Sequence, residues 1–132
     1  MKAFALIQDG IMFAIPHVTG AVVDIPDDDH LKGYHKVIGC HRVDLYCVEI
    51  DGIEYGIYFD DEGLFTGNPI PTLHINEDVV LFGTVIFTKA DASGETIALD
   101  DDDIKRIIKY VKTRKEPMIQ FIKEVVARKC GA

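Results

Sequence analysis

The histidines and cysteines between residues 30 and 47 are the first candidates for chemistry, because such side chains can bind a metal ion or act as nucleophiles. They are His30, His35, Cys40, His41 and Cys47. Zinc sites usually draw their ligands from close pairs, such as two cysteines separated by two residues, and this spacing does not occur here. Adjacent strand residues point to opposite faces, which would separate Cys40 from His41. The pattern predicts core thiols and surface imidazoles, and we expect no metal or other cofactor.

Three consecutive carboxylates at residues 60 to 62 are the second candidate, within the stretch FDDEGLFTGNPIP. Their spacing does not match the calcium loop, which needs a carboxylate or amide at every second position before its glycine. Two further acidic runs, at 27–29 and 100–103, precede helical patterns, where carboxylates stabilise the free amide groups of a first turn. We interpret the stretch as a structured turn that leaves a strand, with Gly63 supplying a positive φ.

Nucleophilic catalysis has little support in the sequence. Serine occurs once, as Ser93 in a glycine-containing turn, and the neighbouring Cys40 and His41 are close in sequence only. Neither of the glycine-rich phosphate-binding motifs is present. We therefore expect a protein that is not an enzyme.

Strand patterns fill most of the first hundred residues. Residues 42 to 59 alternate between two faces and contain an Asp51-Gly52 turn, which predicts a β-hairpin. Residues 79 to 89 are rich in β-branched side chains and are typical of a central strand. Shorter strands are predicted at 2–7, 11–15, 21–25 and 95–99, with the first two joined by a turn at Asp9-Gly10.

Helical spacing occurs in three places. The first helix is predicted after the acidic run at 27–29 and ends at Gly39, and the second begins after 100–103. A third is predicted from Pro117, because proline suits a first helical position. The predicted fold is α+β, a mostly antiparallel sheet with one early helix and two C-terminal helices.

Charge divides the chain into an acidic body and a basic tail. Residues 1–104 hold five basic and twenty acidic side chains, a net −15, whereas 105–132 hold nine and two, a net +7. We predict an acidic α+β domain at 1–113 and a basic amphipathic helix at 114–132, packed on that domain or on a partner. Acidity repels nucleic acid and attracts basic surfaces, although it also simply keeps small proteins in solution. With apolar runs too short to span a bilayer and no secretory signal, we expect a cytoplasmic protein.

Several short motifs in a fixed order carry a resemblance to a known family. They lie in IGCHRVDLYCVEIDGIEYGIYFDDEGLFTGNPIP and in LFGTVIFTKADASGETIALDDDDI. In this order they resemble a small uncharacterised domain encoded mainly by bacteriophages and mobile elements of Firmicutes and actinobacteria, over roughly residues 1 to 108. The family has no established activity. The resemblance implies an accessory protein in a bacterial host cell, where small acidic proteins often inhibit host defence, as DNA mimics or by occluding a nuclease.

Two functions remain open. The first is binding to a host protein, with a nucleic-acid-binding enzyme as one candidate partner, through an acidic surface and without direct binding to nucleic acid or membrane. The second is a sponge for a cyclic nucleotide or an ADP-ribose derivative, stacked on aromatic side chains. A homodimer is left open. The predicted binding residues are Asp60, Asp61, Glu62, Phe65, Asn68, Tyr46 and Tyr58.

Overall fold

A computed structural model describes residues 1–12, 15–39, 42–60, 71–75 and 79–113, with the backbone alone described at 9–12, 15–17 and 71. Within these ranges the chain forms eight strands and two helices. The strands are β1 (Lys2–Met12), β2 (Ile15–Asp24), β3 (Val43–Ile50), β4 (Ile53–Asp60), β5 (Pro71–His74), β6 (Val80–Phe82), β7 (Val85–Ala90) and β8 (Thr96–Ile97), and the helices are α1 (His30–Ile38) and α2 (Asp101–Thr113).

The main sheet has the strand order β2-β1-β7-β4-β3, with β8 paired to the end of β7. Strands β5 and β6 form a separate two-stranded sheet, and every pairing is antiparallel. The prediction of a sheet-dominated α+β fold with mostly antiparallel strands is confirmed. Strand β7 is the middle strand of this order. Its first four side chains are accordingly fully or nearly fully buried.

The two helices cover opposite faces of the sheet, here called the α1 face and the α2 face. On the α1 face, Tyr34 of α1 packs with Ile86 of β7 and with Tyr58 of β4. On the α2 face, Ile107 of α2 belongs to a larger apolar cluster that contains Tyr55 of β4. The alternation along β4 therefore decides which side chain meets which helix.

Helix α1 has the start and end signals that the sequence predicted. The Asp29 side chain accepts a hydrogen bond from the Lys32 amide at 3.1 Å, and Gly39 ends the helix with a left-handed φ of 76°. Gly33 lets the helix approach the preceding chain, because a Cβ there would lie 2.8 Å from Pro26 Cδ. Glycine inside a helix lowers helical propensity, but at this position it is what lets the helix pack.

The structure corrects three element predictions. Strand β1 continues through Asp9-Gly10 with a register shift, so the predicted turn there is wrong. The predicted strand at 79–89 is two strands, divided at Gly83, whose φ is 73°. The predicted arrangement of one early and two C-terminal helices is not matched, since the described C-terminal part contains α2 alone.

The second predicted C-terminal helix falls on 114–132, outside the described residues, as does the predicted tail segment as a whole. The predicted helix at the acidic run is confirmed, although α2 begins at Asp101, inside the run, and not after it. Neither α1 nor α2 has the length and apolar character that a membrane-crossing helix needs.

Candidate functional site at the open edge of the sheet

A buried carboxylate, Asp103, is the most densely bonded polar group in the described part of the chain. It is 1% exposed, and it accepts hydrogen bonds from the Tyr55 hydroxyl at 2.6 Å and from Lys89 Nζ at 2.8 Å. The Arg106 guanidinium donates hydrogen bonds to the Tyr55 oxygen at 2.7 Å and to Asp103 Oδ1 at 3.2 Å. Asp100 and Asp103 also accept from each other's amides, the reciprocal pattern of a capping box.

These contacts explain why the group is charged although it is buried. Burial alone would raise the pKa of Asp103, but the hydrogen bonds from Lys89 and Tyr55 outweigh it and lower the pKa to about 2. Burial and the bond to Asp103 raise the pKa of Tyr55 to about 12. Both Asp103 oxygens, the Tyr55 hydroxyl and Lys89 Nζ are bonded within this cluster. The cluster therefore connects α2 to the sheet.

The β3–β4 hairpin lies at one end of the sheet, and its charged side chains are all negative. Residues 43–60 contain five carboxylates and no lysine or arginine. Asp51 has its charge partly offset, because Arg106 Nε lies 4.0 Å away. The carboxylates at Asp44, Glu49 and Glu54 are exposed. This hairpin therefore carries part of the acidic character that the composition indicated, with no basic side chain of its own.

The hairpin turn determines which way the backbone groups of β3 point. Asp51 and Gly52 both have positive φ, at 52° and 81°, so they form the two-residue turn that favours a regular hairpin. Ile50 and Ile53 face each other directly beside this turn, and they form the first hydrogen-bonded pair of the hairpin. Counting back in twos, the amide and carbonyl groups of residues 43, 45, 47 and 49 point away from β4, towards the outer edge.

One of those outward amides has a partner within its own strand. The Leu45 amide donates to the Asp44 carboxylate at 2.8 Å. This bond occupies a backbone donor that would otherwise be open to another chain, which is how many proteins protect a sheet edge. For Cys47 and Glu49, no such side-chain bond occurs within the described residues.

A groove of about 460 Å³ lies on the α1 face beside this edge. Its floor is formed at Gly56, where a Cβ would be only 2.7 Å from Leu45 Cδ1. Leu45 leaves 45% of its surface exposed. The groove is lined by residues that include Leu45, Cys47, Glu54, Gly56, Tyr58 and Thr88.

Two carboxylates, Glu54 and Asp91, line the groove, and Glu49 lies on the strand beside it. Glu49 and Glu54 are direct cross-strand partners, a juxtaposition that destabilises a sheet. Partial desolvation and then the charge of Glu54 raise the pKa of the Cys47 thiol. Because a raised pKa keeps the thiol protonated, Cys47 is a poor nucleophile.

The predicted binding residues fall into two groups. Asp61, Glu62, Phe65 and Asn68 lie outside the described residues, and Asp60 is the last residue of β4. Tyr46 packs against the cluster on the α2 face, whereas Tyr58 lines the groove on the α1 face. A single small ligand cannot stack on both tyrosines, because the sheet separates them. Whether any of these residues binds a partner stays a prediction.

Metal ligation has no support within the described ranges, where no group of three or more histidine, cysteine or carboxylate side chains converges. Cys40 and His41 lie outside those ranges. Sequence reasoning missed the Asp103 cluster, although an aspartate three residues after the capping Asp100 is a recognisable capping-box signal. It also missed the opposition of Glu49 and Glu54, which follows from the hairpin turn by counting.

A comparison with protein families agrees with the extent of this fold. Residues 9–112, more than half of the chain, match the family described as Domain of unknown function (DUF3846). The chain belongs to this family. The match includes the acidic hairpin and Asp103, and it confirms the expected uncharacterised domain family. No curated protein and no solved structure matched the chain.

Proposed function

We propose that this DUF3846 protein is a non-enzymatic binding protein whose acidic hairpin docks on a positively charged surface of a host protein. The observation that supports it is the concentration of five carboxylates, with no lysine or arginine, on the β3–β4 hairpin at the end of the sheet. Charged patches of one sign steer partners of the opposite sign and speed their association. A hairpin held by a folded sheet presents that charge on a rigid base.

The chemistry of the described residues favours binding over catalysis. The Asp103 carboxylate is held by Lys89 and Tyr55, and the Cys47 thiol has a raised pKa. Catalytic groups need an acid, base or nucleophile poised near the working pH. Keeping Glu49 opposite Glu54 costs stability, and a binding role gives a reason for carrying that cost.

The biological setting comes from the resemblance to phage and mobile-element proteins. In that setting we propose an accessory protein in the bacterial cytoplasm that modulates a host factor. A nucleic-acid-binding enzyme of a defence system is the partner class that suits an acidic, DNA-mimic surface, since such enzymes carry basic clefts. Direct binding to nucleic acid is disfavoured by the same charge.

The test is capture from a lysate of the natural host with a variant that removes the hairpin charge. Asp44→Asn, Glu49→Gln and Glu54→Gln together neutralise the exposed carboxylates with little change in shape. We expect captured partner to fall by about tenfold or more, and capture by the native chain to weaken steeply as salt rises. Addition of duplex DNA should release a partner that uses its DNA-binding cleft.

The matched control removes three exposed carboxylates elsewhere, through Asp28→Asn, Glu95→Gln and Asp102→Asn. This variant has the same net charge as the hairpin variant, so a specific hairpin role predicts that it captures partner like the native chain. Equal losses in both variants, or capture unchanged between low and near-molar salt, would overturn the proposal.

A second candidate function is supported by the groove on the α1 face, where a small ligand would rest against Tyr58 and Leu45. Glu54 and Asp91 line this groove, and its one lysine, Lys89, is bonded to Asp103. These charges favour a neutral or cationic ligand over a nucleotide phosphate. Thermal-shift measurements with cyclic dinucleotides, ADP-ribose and uncharged nucleosides would decide, because saturating a site raises stability. No shift across the panel would exclude the sponge.

A further inference from the structure

The outer edge of β3 has no second strand beside it within the described residues. Strand β3 is last in the sheet order and pairs with β4 alone. It is eight residues long, and its outward backbone groups belong to residues 43, 45, 47 and 49. An edge of this length is a ready template for a further strand. Many proteins block such edges with charged side chains, prolines or bulges; β3 has no lysine, proline or bulge, and its charged side chains are the acidic Asp44 and Glu49.

We propose that β3 accepts an extended, basic segment of a partner protein as an added strand, with a long cationic side chain of that segment lying in the groove. This proposal rests on the proposed function and specifies how the acidic hairpin is used. Strand addition gains affinity from backbone hydrogen bonds and specificity from alternate side chains.

The groove lies where the side chains of an added strand would reach. Leu45, Cys47 and Glu49 point to the α1 face, so alternate side chains of the incoming strand would project over the same face. Neighbouring strands are about 4.8 Å apart, so an arginine or lysine side chain can cross β3 and approach Glu54. The apolar stem would cover exposed Leu45, and the charged head would meet the carboxylate.

The negative charge of β3 favours a basic partner over a second copy of this chain. An antiparallel pairing of two β3 strands would bring carboxylates of the two copies close together at the new interface. Like charges facing each other across strands are destabilising. A basic segment instead places cations beside Asp44 and Glu49, and it relieves the repulsion between Glu49 and Glu54.

Asp44 controls access to part of the edge. Its carboxylate holds the Leu45 amide at 2.8 Å, so an added strand must displace it before pairing along the full length. A cation on the incoming strand offers that carboxylate another partner. Neutral strands have no equivalent way to displace it, and they should be excluded.

The experiment uses two synthetic peptides of the length of β3, both alternating arginine and valine. One is unmodified, and the other is methylated on the backbone nitrogen of its two central residues, which blocks strand pairing on either edge but leaves charge and sequence intact. We expect the full chain to bind the unmodified peptide about tenfold or more tightly. In spectra of the nitrogen-15-labelled chain, the Cys47 and Glu49 amides should shift and become protected from exchange.

Each outcome separates the two proposals. Suppose that both peptides bind with equal affinity and that the double variant Glu49→Gln, Glu54→Gln binds neither of them. The acidic hairpin then binds basic segments without strand addition, and this inference alone is overturned. If neither peptide binds at low salt, strand addition is overturned, and lysate capture still tests the function. If sedimentation shows that the chain dimerises and Cys47→Pro abolishes the dimer, the occupant of the edge is a second copy and the inference is overturned. Cys47→Gly, which keeps the amide, is the matched control for that variant.

Discussion

The Tyr55 hydroxyl donates a 2.6 Å hydrogen bond to Asp103 Oδ1 and thereby joins the sheet to the first turn of α2. The two residues are 48 positions apart in sequence, and the Asp103 side chain is almost fully buried. Lys89 and Arg106 complete the charge balance around the carboxylate. Removing the carboxylate would leave the partly buried Lys89 ammonium without its anion and the Tyr55 hydroxyl without its acceptor.

We predict that Asp103→Ala lowers the free energy of unfolding by about 3–5 kcal/mol, because the largely buried Lys89 and Arg106 lose the carboxylate that they share. Tyr55→Phe should cost less, about 1–3 kcal/mol, since it removes the hydroxyl's hydrogen bonds to Asp103 and from Arg106 but leaves the charged groups paired. Urea denaturation of the purified chain measures both. Asp102→Ala is the control, because it removes an exposed aspartate from the same helical turn. Comparable losses for Asp102 and Asp103 would contradict the role assigned to the cluster.

The same cluster predicts how stability depends on pH. The pKa of Asp103 is lowered to about 2, so its contribution is complete above about pH 4 and is lost as the pH falls towards 2. The pKa of Tyr55 is raised to about 12, so its contribution is complete below about pH 10 and is lost as the pH rises towards 12. Urea midpoints across pH should form a plateau with an acid and an alkaline fall. Asp103→Asn should flatten the acid fall, and an unchanged acid limb would refute this origin.

The opposed glutamates of the hairpin predict that neutralising either one stabilises the fold. Glu49→Gln and Glu54→Gln should each raise the free energy of unfolding by about 0.2–1 kcal/mol, and the double variant should gain little more. A double-mutant cycle in low salt measures this coupling. High salt should abolish it through screening. Strictly additive gains at low salt would mean that the two carboxylates do not sense each other.

Hydrogen exchange on the free chain tests the orientation of the β3 edge. The amides of Tyr46 and Val48 point to β4 and should exchange slowly, whereas those of Cys47 and Glu49 point outward and should exchange fast. The Leu45 amide should exchange more slowly than the Cys47 amide, because the Asp44 carboxylate accepts its hydrogen bond. Nitrogen-15 spectra in heavy water measure all five amides in one experiment. Slow exchange at Cys47 and Glu49 would show that another part of the chain covers the edge.

Elements that depend on near neighbours were predictable from the sequence. The hairpin follows from alternation and from the Asp51-Gly52 turn, and α2 follows from an acidic first turn and a stripe of apolar residues. Periods of two and of 3.6 residues arise within one segment, so no other part of the chain is needed to recognise them. The opposition of Glu49 and Glu54 is local in the same sense.

Other features depended on distant contacts and could not be recognised in this way. At Asp9-Gly10 the local sequence suits a turn and a register shift equally well. The long pairing of β1 with β2 decides for the register shift. Gly83 separates two strands that belong to different sheets, although the stretch around it has one continuous strand composition.

The sequence by itself determined a sheet-dominated α+β fold with a hairpin around Asp51-Gly52 and a helix that starts on aspartates. Only the tertiary structure decided that β7 lies between β1 and β4, which leaves β3 at the edge and opens the groove beside Leu45. It also decided that, of the aspartates at 100–103, Asp103 is the buried one bonded to Tyr55 and Lys89. The physical reason is that strand order and burial come from packing the whole chain, whereas local patterns specify only the pieces.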